Sequence, residues 1–393
     1  MKRFENIFRT LRLAFWGLVV FFSMPLCAQP TAPADSIEIG LITCSPHEEV
    51  YSLYGHSALR YHNLSTGEDV VFNYGIFNFK KPHFVLRFVF GLTDYELGVA
   101  PTQPFCDYYR KWGSQVIEQV LNLTPEEKQR VVEALAENLR PENRVYRYNY
   151  FYDNCSTRPR DIIERCLSGT VDYAERTGDR PTYRQLIHDH TAGHPWARFG
   201  NDMLLGVKAD MKTTMRQQEF LPEYLMADFD RASIVSADGG ERRPLVSHKR
   251  TLVEAGVQTV EQEFPLTPMQ CAVVLLVVSC LIAFVEWRRK RTFRLWDALL
   301  MLLQGLSGCV IFVMFFSEHP TTSTNLLIFL LNPLPLFFLP SVVRRRPTRW
   351  WMLLTIGIGL FAIGSIWQDY AEGMVVLAYC LLTRIVSHHR NDK

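Results

Sequence analysis

Hydrophobic residues are distributed very unevenly along this chain. Before Pro268 they alternate with charged and polar residues, whereas after it they form long uninterrupted runs. These runs cover residues 269–287, 295–317, 326–343, 350–368 and 373–387. Each run approaches or reaches the length that a helix needs to cross a bilayer, which is about 20 apolar residues. The pattern predicts a folded first block followed by an all-α bundle of five transmembrane helices.

Alternation of apolar and polar residues predicts β-structure at the start of the first block. It indicates three strands, at residues 37–41, 56–61 and 69–79. The second and third strands are joined through Ser65 and Gly67, which favour a turn, so we expect a hairpin that carries His56. Residues 84–98 are aromatic and aliphatic, and they predict a packed strand or a helix broken at Gly91.

Helix signals begin at Thr124. This hydroxyl residue is followed by Pro125 and, three positions on, by Glu127, a combination that predicts a capped helix over residues 125–139. Residues 145–152 are rich in β-formers. The block is therefore α+β in class.

Apolar residues recur at helical spacing after the turn at Asp153 and Asn154, so Cys155 is predicted to open a helix. Further helices are predicted at 202–215 and 221–229. The apolar face of the second is expected to pack on the core, with contact to lipid as the alternative. Residues 236–250 are predicted to be a surface loop, and residues 251–266 a short connector.

The N-terminus has the pattern of a secretory signal. Basic residues precede the apolar run 13–22, and cleavage is expected after Ala28, so residues 1–28 are predicted to be a signal peptide. The alternative is an uncleaved anchor. Both alternatives export the following domain.

Loop charges predict the same orientation. Lys and Arg cluster at 288–291 and at 344–349, whereas the loops at 318–321 and 368–370 contain neither. Basic loops remain cytoplasmic. The predicted domains are therefore an exported domain over 29–266 and a transmembrane domain over 267–393, whose tail lies inside.

Composition narrows the possible partners. The chain has 393 residues, is 48% hydrophobic and carries a formal net charge of only +2. Basic residues cluster where the topology requires them, so no nucleic-acid partner is expected, and the membrane is the predicted partner. The exported domain contains four cysteines, namely Cys44, Cys106, Cys155 and Cys166. In an oxidising compartment a disulfide is the default, and Cys44 with Cys106 is one candidate pair.

His56 and Cys155 are the predicted catalytic residues. A cysteine at a helix N-terminus has its thiolate favoured by the helix dipole, and nearby backbone N–H groups can hold a developing oxyanion. A neighbouring imidazole would activate the thiol. Asn73, on the next strand of the hairpin, is the first candidate for orienting that imidazole, ahead of His62 and Asp69. The alternatives are a bridged or buried Cys155 and a structural His56.

The order of these residues resembles one branch of the papain-related enzymes. In this chain a strand histidine precedes a helix cysteine, as in the circularly permuted group that is similar to lecithin-retinol acyltransferase. That resemblance implies a permuted papain-like domain whose thioester moves fatty acyl groups between lipids and acceptors.

A closer resemblance covers nearly the whole chain. The matching segments are residues 54–60 (YGHSALR), 72–79 (FNYGIFNF), 152–156 (YDNCS), 200–202 (GND) and 220–222 (FLP), followed by the apolar runs. This order is similar to the Lnb-type bacterial lipoprotein N-acyltransferases.

The Lnb-type resemblance implies a periplasm-facing enzyme of the inner (cytoplasmic) membrane. Its donor would be a phospholipid, and its acceptor the α-amino group of a diacylglyceryl-cysteine lipoprotein. His56 and Cys155 are carried over as catalytic, and Asn73 as their partner. No cofactor is expected, neither metal nor nucleotide, because the energy for transfer is already in the ester bond.

Two other functions use the same features. A papain-like amidase or peptidase of the cell wall would need the same Cys/His chemistry, and a non-enzymatic membrane assembly factor would hold Cys155 as a structural residue. The five spans either anchor the domain or bind acyl chains. Polar residues within them are expected to face the bundle interior: Asp297, Gln304, Asn332 and Arg384.

Overall fold

The computed structural model describes residues 36–76, 83–178, 180–237, 239–258, 264–319 and 321–391. The predicted signal peptide, residues 1–28, lies outside these ranges. Residues 77–79 of the predicted third strand also lie outside them.

An antiparallel seven-stranded sheet forms the centre of the N-terminal domain. Its strands are β1 (Ile37–Cys44), β2 (His56–Asn63), β3 (Asp69–Ile76), β4 (Asp94–Pro101), β5 (Val116–Leu121), β6 (Val145–Arg147) and β10 (Val246–Val253). They lie in the order β10-β5-β1-β2-β3-β4-β6. The three strands and the hairpin predicted near His56 are therefore confirmed. A smaller sheet contains β7 (Gly169–Asp172), β8 (Ser233–Ser236) and β9 (Arg242–Pro244).

Eight helices accompany these sheets within the described residues. They are α1 (Phe84–Val89), α2 (Thr102–Lys111), α3 (Pro125–Leu139), α4 (Thr157–Cys166), α5 (Tyr183–His190), α6 (Pro195–Leu204), α7 (Met215–Gln218) and α8 (Pro222–Arg231). At the start of α3 the Thr124 side chain accepts from the Glu127 backbone, and the Glu127 side chain accepts in return from the Thr124 backbone. The predicted capping box is thus confirmed.

The main core lies between the large sheet and the helices α3, α4 and α8. Its fully buried members include Leu41, Leu59, Leu135, Ile163 and Phe229. Burial of one such side chain contributes roughly 1.5–3 kcal/mol. Because Phe229 belongs to this cluster, the core-facing interpretation of α8 is confirmed.

Two segments near Cys155 and Gly91 differ from the prediction in extent. The stretch 84–98 divides into helix α1 and strand β4 on either side of Gly91, and the strand predicted over 145–152 ends at Arg147. Beyond Arg147 the backbone turns: the Tyr148 N–H donates to the Thr93 carbonyl, and Asn149 pairs with Asp153. This turn returns the chain toward Cys155.

The single helix predicted over 202–215 is wrong. Helix α6 ends at Leu204, and a 3-10 turn, Val207–Asp210, follows. The break lies at Gly206, whose N–H donates to the Thr321 carbonyl at 2.8 Å. A partner from the helical region replaces the intrahelical hydrogen bond that a continuous helix would use.

The surface loop predicted over 236–250 is also wrong. It contains β9 and most of β10, which adds an edge strand to β5. Scattered charges suggested solvent exposure, but Arg250 donates to the fully buried Glu118 at 2.5 Å and to Glu38 at 2.7 Å. The charges serve cross-strand ion pairs that local sequence does not show.

The C-terminal region is helical. Its helices are α9 (Pro268–Arg289), α10 (Arg294–Met314), α11 (Leu334–Val343), α12 (Trp350–Gly364) and α13 (Met374–Asn391), with a 3-10 turn (Leu326–Phe329) before α11. Three segments are long and apolar enough to cross a membrane, namely Pro268–Arg289, Arg294–Met314 and Leu326–Val343; α12 is apolar but shorter.

Polar residues of the helical region face its interior, as predicted for Asp297, Gln304 and Arg384, which are all buried. Arg384 donates to Glu286 through two nitrogens at 2.8 Å and to Asp297 at 2.7 Å. Asn332 is only half-buried. Arg384 is thus held in an ion-pair network instead of extending to the membrane surface.

Candidate active site

His56 is the first residue of β2, and the backbone before it allows only glycine. Gly55 has φ +71°, and a Cβ built there would lie 2.7 Å from the Cys44 carbonyl oxygen. Any side chain at this position would separate the β1–β2 pair, in which Cys44 lies opposite His56. Gly55 therefore allows His56 to begin the strand in register.

Asn73 forms a hydrogen bond with the imidazole of His56. The Nε2 atom of His56 lies 2.6 Å from Oδ1 of Asn73. An amide oxygen only accepts, so Nε2 must carry the hydrogen and donate. The other ring nitrogen, Nδ1, is left to serve the thiol of Cys155, with which His56 also hydrogen-bonds. The three predicted site residues are thus together.

The other two candidates for the orienting role lie elsewhere. His62 faces Glu38, with 3.5 Å between Nδ1 and the carboxylate. Asp69 accepts two hydrogen bonds from Arg60, at 2.7 and 2.6 Å. Both are occupied by partners away from His56, so the preference for Asn73 agrees with the geometry.

Cys155 lies two residues before helix α4, in a turn that Asn154 holds. The Asn154 Oδ1 accepts from the N–H groups of Ser156 and Thr157 at 2.9 and 3.0 Å. Its Nδ2 donates to the carbonyls of Tyr150 and Phe220 at 3.0 and 2.8 Å. The prediction that Cys155 stands at a helix mouth is correct, and Asn154 is a positioning residue that the sequence indicated only as a turn.

Local contacts favour the ionised pair of Cys155 and His56. Burial by itself would raise the pKa of the Cys155 thiol, but the His56 charge and hydrogen bond lower it below its ordinary value. The backbone of Ser57 and the hydroxyl of Ser156 lower this pKa further. Burial would lower the pKa of His56, yet Cys155 and Asn73 raise it. Neither serine was identified from the sequence, although both lie inside the quoted motifs.

Cys155 differs from the other three cysteines of this domain. Burial raises the pKa of Cys44, of Cys106 and of Cys166, the last of which ends the same helix that Cys155 precedes. All four are free thiols, so the candidate bridge between Cys44 and Cys106 is not formed. Only Cys155 combines a lowered thiol pKa with a neighbouring imidazole.

Gly75 lies directly beside the reactive pair. A Cβ built at Gly75 would lie 3.9 Å from Cβ of Cys155 and 4.0 Å from both His56 and Tyr148. The ring of Tyr148 stacks on Tyr95 with their centroids 4.2 Å apart. A glycine at φ +103° and an aromatic pair therefore border the thiol, and neither feature was predicted from the sequence.

Replacing Asn73 with alanine is expected to weaken catalytic activity without removing it. Without its acceptor the imidazole can rotate, and the cost is roughly 10- to 100-fold in rate. Steady-state turnover and the pH dependence of Cys155 alkylation would measure the change. Asn73→Asp, which keeps the acceptor oxygen, is the control. An unchanged rate and pH profile in Asn73→Ala would remove the orienting role from this residue.

The fold and the site together define a membrane protein with an α+β domain that carries a Cys–His–Asn arrangement with a buried thiol. Residues 27–189 match the Lnb N-terminal periplasmic domain, and residues 259–393 match the Lnb transmembrane domain. The chain is thus an Lnb-type protein, and the predicted resemblance is confirmed. No curated protein and no solved structure matches the chain.

The two domain matches indicate a membrane-bound enzyme that modifies lipoproteins and has a periplasmic part. The motifs at 200–202 and 220–222 lie between the matched segments. Within the structure they support the site: Asn201 donates to the Tyr54 hydroxyl at 2.8 Å, and the Phe220 carbonyl accepts from Asn154.

Proposed function

We propose that this protein is a lipoprotein N-acyltransferase that moves an acyl chain from a phospholipid, through a Cys155 thioester, to the α-amino group of a diacylglyceryl-cysteine lipoprotein. The observation that supports it most is the contact of an activated Cys155 with His56, which Asn73 orients. Cys155, His56 and Asn73 are the proposed catalytic set. The Lnb domains supply the lipoprotein context.

The first half-reaction forms the thioester. The thiolate of Cys155 attacks the carbonyl carbon of a phospholipid ester, and the bond from that carbon to the glycerol oxygen breaks. The protonated His56 gives its Nδ1 proton to the departing lysophospholipid alkoxide. The acyl group remains on the sulfur, and His56 is neutral.

The second half-reaction forms the amide. The neutral amine of the lipoprotein attacks the thioester carbon, the carbon–sulfur bond breaks, and His56 accepts the proton that the nitrogen loses. Thiolate and imidazolium are restored together. Asn73 keeps Nε2–H engaged throughout, so Nδ1 remains the nitrogen that exchanges protons.

The proposed organisation follows from this chemistry. Residues 1–28 are a signal peptide, residues 29–266 a periplasmic catalytic domain of the permuted papain-like type, and residues 267–393 a transmembrane domain. The five helices α9 to α13 cross the inner (cytoplasmic) membrane in this arrangement, with the shorter α11 extended by the turn before it. The basic loops at 288–291 and 344–349 support an orientation in which these loops are cytoplasmic.

The full chain in proteoliposomes provides the test. With phospholipid carrying isotope-labelled acyl chains and no acceptor, we expect a labelled adduct on Cys155 by mass spectrometry. Addition of a diacylated lipoprotein should move the label to its N-terminal amine. Cleavage of cell-wall peptides with the lipoprotein left unmodified would instead support an amidase. The absence of both reactions would support a non-enzymatic assembly factor.

A further inference from the structure

The wall of the active site connects to the helical region through a few residues. Tyr148, beside Gly75 and Cys155, exchanges hydrogen bonds with Thr93: its N–H donates to the Thr93 carbonyl, and the Thr93 hydroxyl donates to its carbonyl, both at 2.9 Å. Two residues before Thr93, Gly91 packs against the helical region, since a Cβ there would lie 2.6 Å from the His319 nitrogen.

Helix α1 ends at this junction. The Glu318 N–H, just beyond the end of the membrane-spanning candidate α10, donates to the Phe90 carbonyl at 3.0 Å. Arg147, next to Tyr148, pairs with Glu318 at 2.9 Å. The segment from α1 to Thr93 therefore lies at the level where the α10 span ends.

Two exposed apolar side chains lie at the C-terminal end of α1. Leu86 is 59% exposed and Phe90 is 39% exposed, and they lie four residues apart on one side of the helical turn. Phe316 follows the end of α10, two residues before Glu318, and is 67% exposed. Ile76, directly after Gly75, is also 39% exposed.

The carboxylates and guanidinium groups described around this face, in residues 83–94, 147 and 318, form ion pairs. Arg87 forms an ion pair with Asp94, which also accepts from Arg147 at 3.1 Å, and Arg147 pairs in turn with Glu318. Exposed apolar side chains beside these ion pairs, continuous with the end of a span, suit lipid chains better than a polar protein partner.

We propose that the face formed by Leu86 and Phe90 contacts the outer leaflet, and that the donor's acyl chain passes from the bilayer over this face and along Tyr148 to Cys155. This proposal rests on the proposed function, since it names how the phospholipid reaches the same thiol. The stacked rings of Tyr148 and Tyr95 provide an apolar wall beside the thiol.

The test compares two acyl donors on the full chain. Leu86→Glu places a charge on the proposed lipid face, and Leu64→Glu, at a 56% exposed leucine in the β2–β3 turn, is the matched control. Acylation of Cys155 is measured with phospholipid in proteoliposomes and with the water-soluble ester p-nitrophenyl acetate. We expect Leu86→Glu to lose about tenfold in rate with phospholipid, and to keep the wild-type rate with the soluble ester.

The control variant should match the wild type with both donors. A wild-type rate with phospholipid in Leu86→Glu would overturn the route, and so would an equal loss with both donors, because damage to the site itself would then explain it. If the wild-type chain forms no adduct with either donor, the proposed function fails, and the route with it. The soluble ester thereby separates the two failures.

Discussion

Alanine at position 155 is expected to abolish acyl transfer. Without the sulfur no thioester forms, and an amine does not attack a phospholipid ester at a useful rate on its own. The loss should be about 10^4-fold or more, comparable to removal of a nucleophile in other covalent enzymes. The mass of a lipoprotein N-terminus from cells that depend on the variant would show the diacylated form only.

Cys166→Ala is the matched control for this variant. Cys166 is a buried free thiol at the opposite end of α4, and burial raises its pKa. The control should retain transfer and retain the labelled adduct at Cys155. Triacylated product at wild-type abundance in Cys155→Ala would exclude the thioester mechanism.

His56→Ala is expected to have the second-largest effect, about 10^3-fold in transfer rate. Removing the imidazole removes both proton transfers and the interaction that lowers the Cys155 pKa. Burial then raises this pKa, so the thiolate forms only at higher pH. Alkylation of Cys155 by iodoacetamide would report the change directly.

The direction in which Cys155 alkylation depends on pH follows from the pKa changes of Cys155 and His56. In the wild type the lowered pKa of Cys155 and the raised pKa of His56 both favour the thiolate–imidazolium pair. Alkylation at neutral pH should therefore be faster in the wild type than in His56→Ala, on the order of tenfold for each unit by which the variant's thiol pKa rises. His62→Ala, on the same strand but paired with Glu38, should keep the wild-type profile. A profile in His56→Ala identical to the wild type would contradict activation by this imidazole.

The local sequence was sufficient to predict a structural element wherever the interacting residues are close together in the chain. The capping box before α3, the hairpin that carries His56 and the turn before α4 each depend on residues a few positions apart. The apolar runs after Pro268 likewise needed no partner to be recognised. The choice of Asn73 followed from its place on the strand beside His56, and the 2.6 Å contact agrees with it.

Pairings between distant residues were not visible in the same way. Strand β10 exists because it pairs with β5 more than a hundred residues earlier, and its arginine reaches the buried Glu118. Helix α6 stops where Gly206 donates to Thr321 in the other region. Scattered charges and a short apolar run do not reveal such partners.

The sequence by itself determined the two-block organisation, the class of the first block and the three residues of the candidate site. Only the tertiary structure decided that Cys155 is unbridged and ionised more easily than Cys166, that Gly75 lies beside it, and that α1 meets the end of α10. The physical reason is that periodicity and capping act over one or two turns of chain. The pKa of a thiol and the docking of a helix depend on whichever distant groups the fold brings within a few ångströms.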